Sequence, residues 1–127
     1  MTTFFIADDS PEKMRFLHHM VKRAGWEGEI LTAVTSEEAF DVIDAHPEIA
    51  AAFIDYYIPT QNGPAIIARL RTSCPDCRIA LVTSGENPRN ADRARSAGAE
   101  AAVCTSHPSD AVERALTDLL EAWMMPR

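Results

Sequence analysis

Acidic side chains stand at the ends of two apolar runs: Asp8 and Asp9 follow F-F-I-A, and Asp55 follows I-A-A-A-F-I. A hydroxyl holds the same place in a third run, where Thr83 closes A-L-V-T. Three carboxylates drawn into one cleft repel, and each holds its proton more tightly than in water unless a cation neutralises them. Oxygen-only donors, few in number and shared with water, suit Mg²⁺, which keeps several waters and takes phosphate oxygens as further ligands. An Asp in that setting can carry a phosphoryl group as an aspartyl phosphate when metal and hydrogen-bond donors balance the added charge. Thr83 would be such a donor, on the opposite side of Asp55 from the acid pair. A single acid at a strand end serves equally well as a helix cap, as Asp9 or Ser10 ahead of Pro11 could. The combination of three acids with the Thr is what points to a site.

The elements that must position these groups follow one alternation from end to end. Phe4–Asp8, Glu29–Val34, Ala50–Asp55, Ile79–Thr83 and Ala101–Cys104 read as short, mostly continuous apolar strands, as in a parallel sheet covered on both faces. Amphipathic segments lie between them, with Met14, Leu17, Val21 and Ala24 on one helical face and Val112, Ala115, Leu116, Leu119 and Trp123 on another. Thr35 with Glu38 reads as a capping box, Ser109 as a helix start with Asp110 in its first turn, and Pro64 and Pro88 as first-turn prolines. Gly25 and Gly98 suit helix ends. The helix around Arg89, Arg93 and Arg95, with only Ala91, Ala94 and Ala97 as apolar residues, reads as lightly packed. Five strand–helix repeats with short right-handed crossovers predict an open α/β sandwich in which ligands bind outside the carboxyl ends of the strands. In a sheet of order 2-1-3-4-5 the first and third strands are neighbours about 5 Å apart, so Asp8, Asp9 and Asp55 must face one another.

The 127 residues predict a single domain over 1–127, with no linker or attached output module. Nineteen acidic against twelve basic residues give a net charge of −7, which disfavours direct binding to nucleic acid. The longest apolar run, Ile49 to Ile54, is far short of the roughly 20 residues that cross a bilayer, so no membrane insertion is expected. M-T-T-F-F-I-A-D-D lacks a basic leader and reaches two Asp before any signal-type core, and the expected place is the cytoplasm. The three Cys would remain thiols there.

The pieces I-A-D-D-S, D-Y-Y-I-P-T-Q-N-G, A-L-V-T-S and S-A-G-A together resemble the receiver domain of bacterial two-component response regulators, over essentially the whole chain. The resemblance implies a flavodoxin-like, doubly wound (βα)5 fold with sheet order 2-1-3-4-5. It also implies a signalling domain rather than an enzyme, limited to self-phosphorylation and self-dephosphorylation. Asp55 becomes the phosphoacceptor and Thr83 the hydroxyl that bonds the phosphoryl group. Asp8, Asp9, Asp55 and the backbone carbonyl of Tyr57 become the Mg²⁺ ligands. The implied donor is a histidine kinase or phosphotransfer protein, and the output is a downstream protein on the face of the fourth helix, fifth strand and fifth helix, or a homodimer. In the loop after Asp55, Pro59 limits the backbone and Gly63 would allow a positive φ before the third helix.

Two departures from that pattern stand out. The family has a Lys at the end of the fifth strand, where this chain has Thr105, and the chain's only lysines are Lys13 and Lys22. A two-residue insertion would instead align His107-Pro108, but the ungapped register favours Thr105 and leaves His107 a loop residue. The fifth-strand aromatic position is Ala102, so readout would need another route. Tyr57 would overhang the acceptor and slow the loss of a phosphoryl group. A degenerate pseudo-receiver acting without phosphorylation is the first alternative. An aspartate-nucleophile phosphatase is weaker, because the second Asp of its D-x-D is Tyr57 here. A flavin-binding protein is weaker still, because D-D-S-P-E would repel a flavin phosphate.

Other signals carry less. Cys74-Pro-Asp-Cys77 resembles a redox pair but precedes a strand rather than opening a helix, which leaves chance or a reversible surface disulfide. With Cys104 and His107 it spells a zinc-like pattern, but a strand length of roughly 15 Å separates Cys77 from Cys104. His18 and His19 read as a solvated helix face, and His46 as a helix-end charge. Trp26 and Trp123 read as covers for the sheet edges or an interface.

Overall fold

In the computed structural model, which describes residues 3–125, strands and helices alternate through the chain. The order is β1 (Thr3–Ala7), α1 (Pro11–Arg23), β2 (Glu29–Ala33), α2 (Ser36–Ala45), β3 (Ile49–Ile54), α3 (Gly63–Ser73), β4 (Arg78–Thr83), α4 (Pro88–Ala97), β5 (Ala101–Cys104) and α5 (Ser109–Met124). The five strands form one parallel sheet in the order β2-β1-β3-β4-β5. Strand side chains alternate between two cores. Phe4, Ile6, Ala51, Phe53, Ala80 and Val82 pack with residues of α1 and α5, while Phe5, Ala7, Ala52, Ile54, Ile79 and Leu81 pack with residues of α2, α3 and α4.

Local signals set the helix starts. Ser10 caps α1, its hydroxyl accepting from the Lys13 N–H at 3.3 Å. Thr35 caps α2 by accepting from the Glu38 N–H at 3.1 Å, and the Glu38 carboxylate accepts from the Val34 N–H at 3.0 Å. Asn87 caps α4 ahead of Pro88. Gly25 and Gly98 adopt φ of 103° and 128°, the left-handed region that glycine tolerates at a helix end.

Several expectations are corrected. Pro108 rather than Ser109 holds the N-cap position of α5, which begins at Ser109, and no side chain caps it. The buried stripe of α5 runs through Val112, Leu116, Leu120 and Trp123, while Ala115 is exposed, because a step of four along this helix leads to Leu120. Asp8, Val34 and Asp55 fall just past their strands. Trp26 and Trp123 are buried against the central strands instead of covering the edges: the Phe4 ring lies 5.2 Å from Trp26, edge to face, and Phe53 lies 5.6 Å from Trp123. With Ala50 and Arg78 the two indoles line the amino end of the sheet, so their fluorescence would not sense the acidic end.

Candidate functional site

Register brings the acids together. Ala7 pairs with Ala33 and Ile54, and the ladder runs on as Asp8 N–H donates to the Ala33 carbonyl at 3.0 Å and Asp55 N–H to the Ala7 carbonyl at 2.9 Å. Oxygen atoms of Asp8, Asp9 and Asp55 thereby lie within 4.8 Å of one another. They line an open cleft of about 600 Å³ with Ser10, Lys13, Tyr57, Ser84, Thr105 and His107. Asp8 is fully buried, Asp55 nearly so, and Asp9 exposed.

The expectation that only a metal could relieve this repulsion needs correction, because the chain supplies a cation of its own. The Lys13 ammonium, in the first turn of α1, sits 2.9 Å from Asp8 Oδ2 and 3.0 Å from Asp55 Oδ1. It donates a hydrogen bond to Asp55 Oδ1, which also accepts from the Tyr56 N–H at 2.9 Å. Asp8 Oδ1 accepts from the Ser10 N–H at 2.9 Å. Asp8 Oδ2, buried, is met by the Lys13 ammonium as an ion pair. Burial pushes the Asp8 carboxyl above the usual aspartate range, against the opposing pull of Lys13 and the Ser10 N–H. A donor set made only of carboxylate oxygens, gathered within 4.8 Å of one another, fits a hard divalent ion such as Mg²⁺.

The loop after Asp55 is held by groups the sequence reading passed over. The buried Ser36 hydroxyl accepts from the Thr60 and Gln61 N–H groups at 3.0 and 3.1 Å. Glu37 accepts from the Thr60 hydroxyl at 2.7 Å, and that bond with the one from Ser36 draws its carboxyl below the usual range. Gly63 does not use a positive φ. It is required for close approach, since a Cβ there would run into the Asp55 carbonyl oxygen.

The far side of the cleft differs from expectation. Thr83 is buried, and its hydroxyl accepts from the Gly85 N–H at 3.3 Å. It lines a second cavity, of about 270 Å³, with Leu81, Asn90, Ala91, Ala102 and Cys104, while its neighbour Ser84 faces the acids. Thr105 does line the acid cleft, its N–H donating to the Thr83 carbonyl at 2.9 Å. His107 lies in the exposed loop between β5 and α5, as expected, and borders both cavities. Tyr57, 53% exposed as a residue, borders the acids, and its hydroxyl accepts from the buried Asn90 amide of α4 at 3.1 Å. Tyr56 accepts from Arg93 of the same helix at 3.2 Å.

Lys13, Ser36 and Asn90 are the functional candidates that the sequence reading missed. A signal existed for Lys13: a cation in the first turn of a helix opposes the macrodipole, so its placement there calls for a nearby anion. Cys74 and Cys77 are both buried, which removes the surface disulfide, and burial pushes the Cys77 thiol up to about 12. Cys104 lies at the far end of β5, bonded to Ser106, so the zinc-like pattern does not assemble.

The fold has many solved counterparts. A receiver domain from Rhodospirillum rubrum superposes with a TM-score of 0.82 at 16% identity, covering 98% of this chain and 95% of its own. A CheY-like receiver domain protein from Methanospirillum hungatei gives 0.77 at 19%, covering 97% and 96%. A response regulator from Burkholderia pseudomallei, solved with a phosphorylated aspartic acid, calcium ion and citrate, gives 0.76 at 22%, covering 96% and 72%. At such identities these likenesses speak for the fold alone. No curated protein matches the chain. The model of the response regulator receiver domain matches residues 4–116, nearly the whole sheet and all three acids, and the chain therefore belongs to that family.

Proposed function

We propose that this chain is a phosphorylation-regulated interaction module that accepts a phosphoryl group on Asp55. The observation that carries the reading is the convergence of Asp8, Asp9 and Asp55 within 4.8 Å at the carboxyl edge of the sheet, in a cleft open to a donor. An Asp55 carboxylate oxygen attacks phosphorus. A P–O bond forms as the P–N bond of a phosphohistidine breaks, and the leaving imidazole keeps the electron pair. Asp8, Asp9, Asp55 and the Tyr57 backbone carbonyl would hold Mg²⁺, which when bound withdraws charge from the phosphoryl oxygens. Thr83 and Ser84 are the hydroxyls next to the site, and since the Thr83 oxygen only accepts from the Gly85 N–H, its own proton is free for a phosphoryl oxygen.

The donor in this reading is a histidine kinase or phosphotransfer protein in the cytoplasm. The output is a downstream protein or a second copy on the α4–β5–α5 face. Tyr57 supports that assignment, because it borders the acceptor and is tied to α4 through Asn90, a route that does not need an aromatic at Ala102. Tyr57 also shields the acceptor from water, so phosphoryl loss is slow, and Tyr57→Ala speeds it.

The test is incubation with acetyl phosphate and Mg²⁺. A mass gain of one phosphoryl group that disappears in Asp55→Ala is expected. Absence of any gain in the wild type sinks the reading and leaves the pseudo-receiver, which the ammonium already paired with Asp55 favours.

A further inference from the structure

We infer that Lys13 is the fixed cation of the phosphoryl site, delivered from the first turn of α1, and that it shares the carboxylates with the divalent ion rather than excluding it. The inference rests on the phosphoacceptor reading and names the residue that makes it electrostatically workable. Among the described residues that line the cleft, Lys13 is the only Lys or Arg, and the end of β5 offers the neutral Thr105. The Lys13 side chain is 13% exposed and its ammonium bridges Asp8 and Asp55.

Charge balance shows why one cation is not enough. With Asp8, Asp9 and Asp55 ionised, one ammonium and one divalent ion together just cancel them. A phosphoryl group replaces the single charge of Asp55 with nearly two. Removing either cation then leaves a pocket with a fully buried carboxylate strongly negative. Lysine suits the task because its ammonium is a compact charge with three donors on a flexible stem. Capping by Ser10 holds the Lys13 backbone, so the head group can pass from Asp55 Oδ1 to a phosphoryl oxygen while staying beside Asp8. The positive end of the helix works against a cation at this position, so the carboxylates must offset that cost.

The same geometry makes Lys13 and the metal competitors before phosphorylation and allies after it. Calorimetry with Mg²⁺ alone, then fluorine NMR with beryllofluoride in saturating Mg²⁺, separates the two effects without any chemistry at Asp55. Lys13→Met is expected to bind Mg²⁺ several-fold more tightly and beryllofluoride at least about tenfold more weakly. Lys13→Arg, which keeps the charge and guards against a folding defect, falls between Lys13→Met and wild type. Adding Thr105→Lys to Lys13→Met restores most of the beryllofluoride affinity. A Lys13→Met protein whose beryllofluoride affinity stays within twofold of wild type overturns the inference while the phosphoacceptor reading stands. A wild type that takes no beryllofluoride overturns that reading itself.

Discussion

On the β1–α1 flank of the cleft, the Lys13 ammonium pairs with both Asp8 and Asp55 and fixes them relative to each other. Gly63 is packed so closely on the Asp55 carbonyl that no side chain fits. On the β4–α4–β5 flank lies a cavity of about 270 Å³, bordered by Thr83, Gly85, Ala91 and Ala102 among others and by a helix with only Asn90 and Ala94 buried. Tight packing and paired charges fix geometry, whereas a hollow under a lightly seated helix leaves it free to move. Under the proposed function, the contrast would give one flank the holding of the phosphoryl group and the other its readout.

Four measurements can break or sharpen that contrast. The largest effect is expected for Gly63→Val, which forces the Asp55 loop away. Urea unfolding should show a loss of at least about 2 kcal/mol, with phosphoryl uptake abolished. A variant that keeps both would mean the tight flank is not tight. Next, Ala52→Phe in the filled core should cost about 1–3 kcal/mol, whereas Ala102→Phe, entering the hollow, should stay within about 1 kcal/mol of wild type. Equal costs in thermal melts would mean that the space beside Ala102 is as filled as the core around Ala52.

Asn90→Ala removes the donor to Tyr57 and should cost about 1 kcal/mol, and phosphoryl loss should quicken as the ring is released. Unchanged kinetics would remove Tyr57 from the route between the flanks. The smallest effect lies at the opposite end of the sheet. Because the Cys77 thiol is pushed up to about 12, the folded state holds this proton more tightly than the unfolded chain does. Its contribution is therefore complete below the unfolded pKa, about 8.5, and fades as pH rises toward 12. By pH 9 the loss should be under about 1 kcal/mol, absent in Cys77→Ala, and without effect on the acid cleft.

Much of this molecule is readable from local pattern. Continuous apolar runs gave the parallel strands, Ser10, Thr35 and Pro88 marked helix starts, and the acids at strand ends followed once β1 and β3 were neighbours. Readings failed where a long-range contact competed with a local cue. Gly63 was read through its own φ, but its neighbour across the loop decides its role. For Thr83, expected across Asp55 from the acid pair, strand alternation alone does not say which cavity the hydroxyl lines: it borders the second cavity, and Ser84 borders the acids.

The sequence by itself determined the alternation of elements, the sheet that results, and the strand ends where charge collects, because burial period and capping act between residues a few positions apart. Only the tertiary structure decided that Lys13 turns back over Asp8 to reach Asp55, 42 positions away, and that Tyr57 meets Asn90 of α4. Such pairings depend on where side chains of separate elements end in space, and on electrostatic attraction strong enough in a half-dry cleft to overcome a helix's own field.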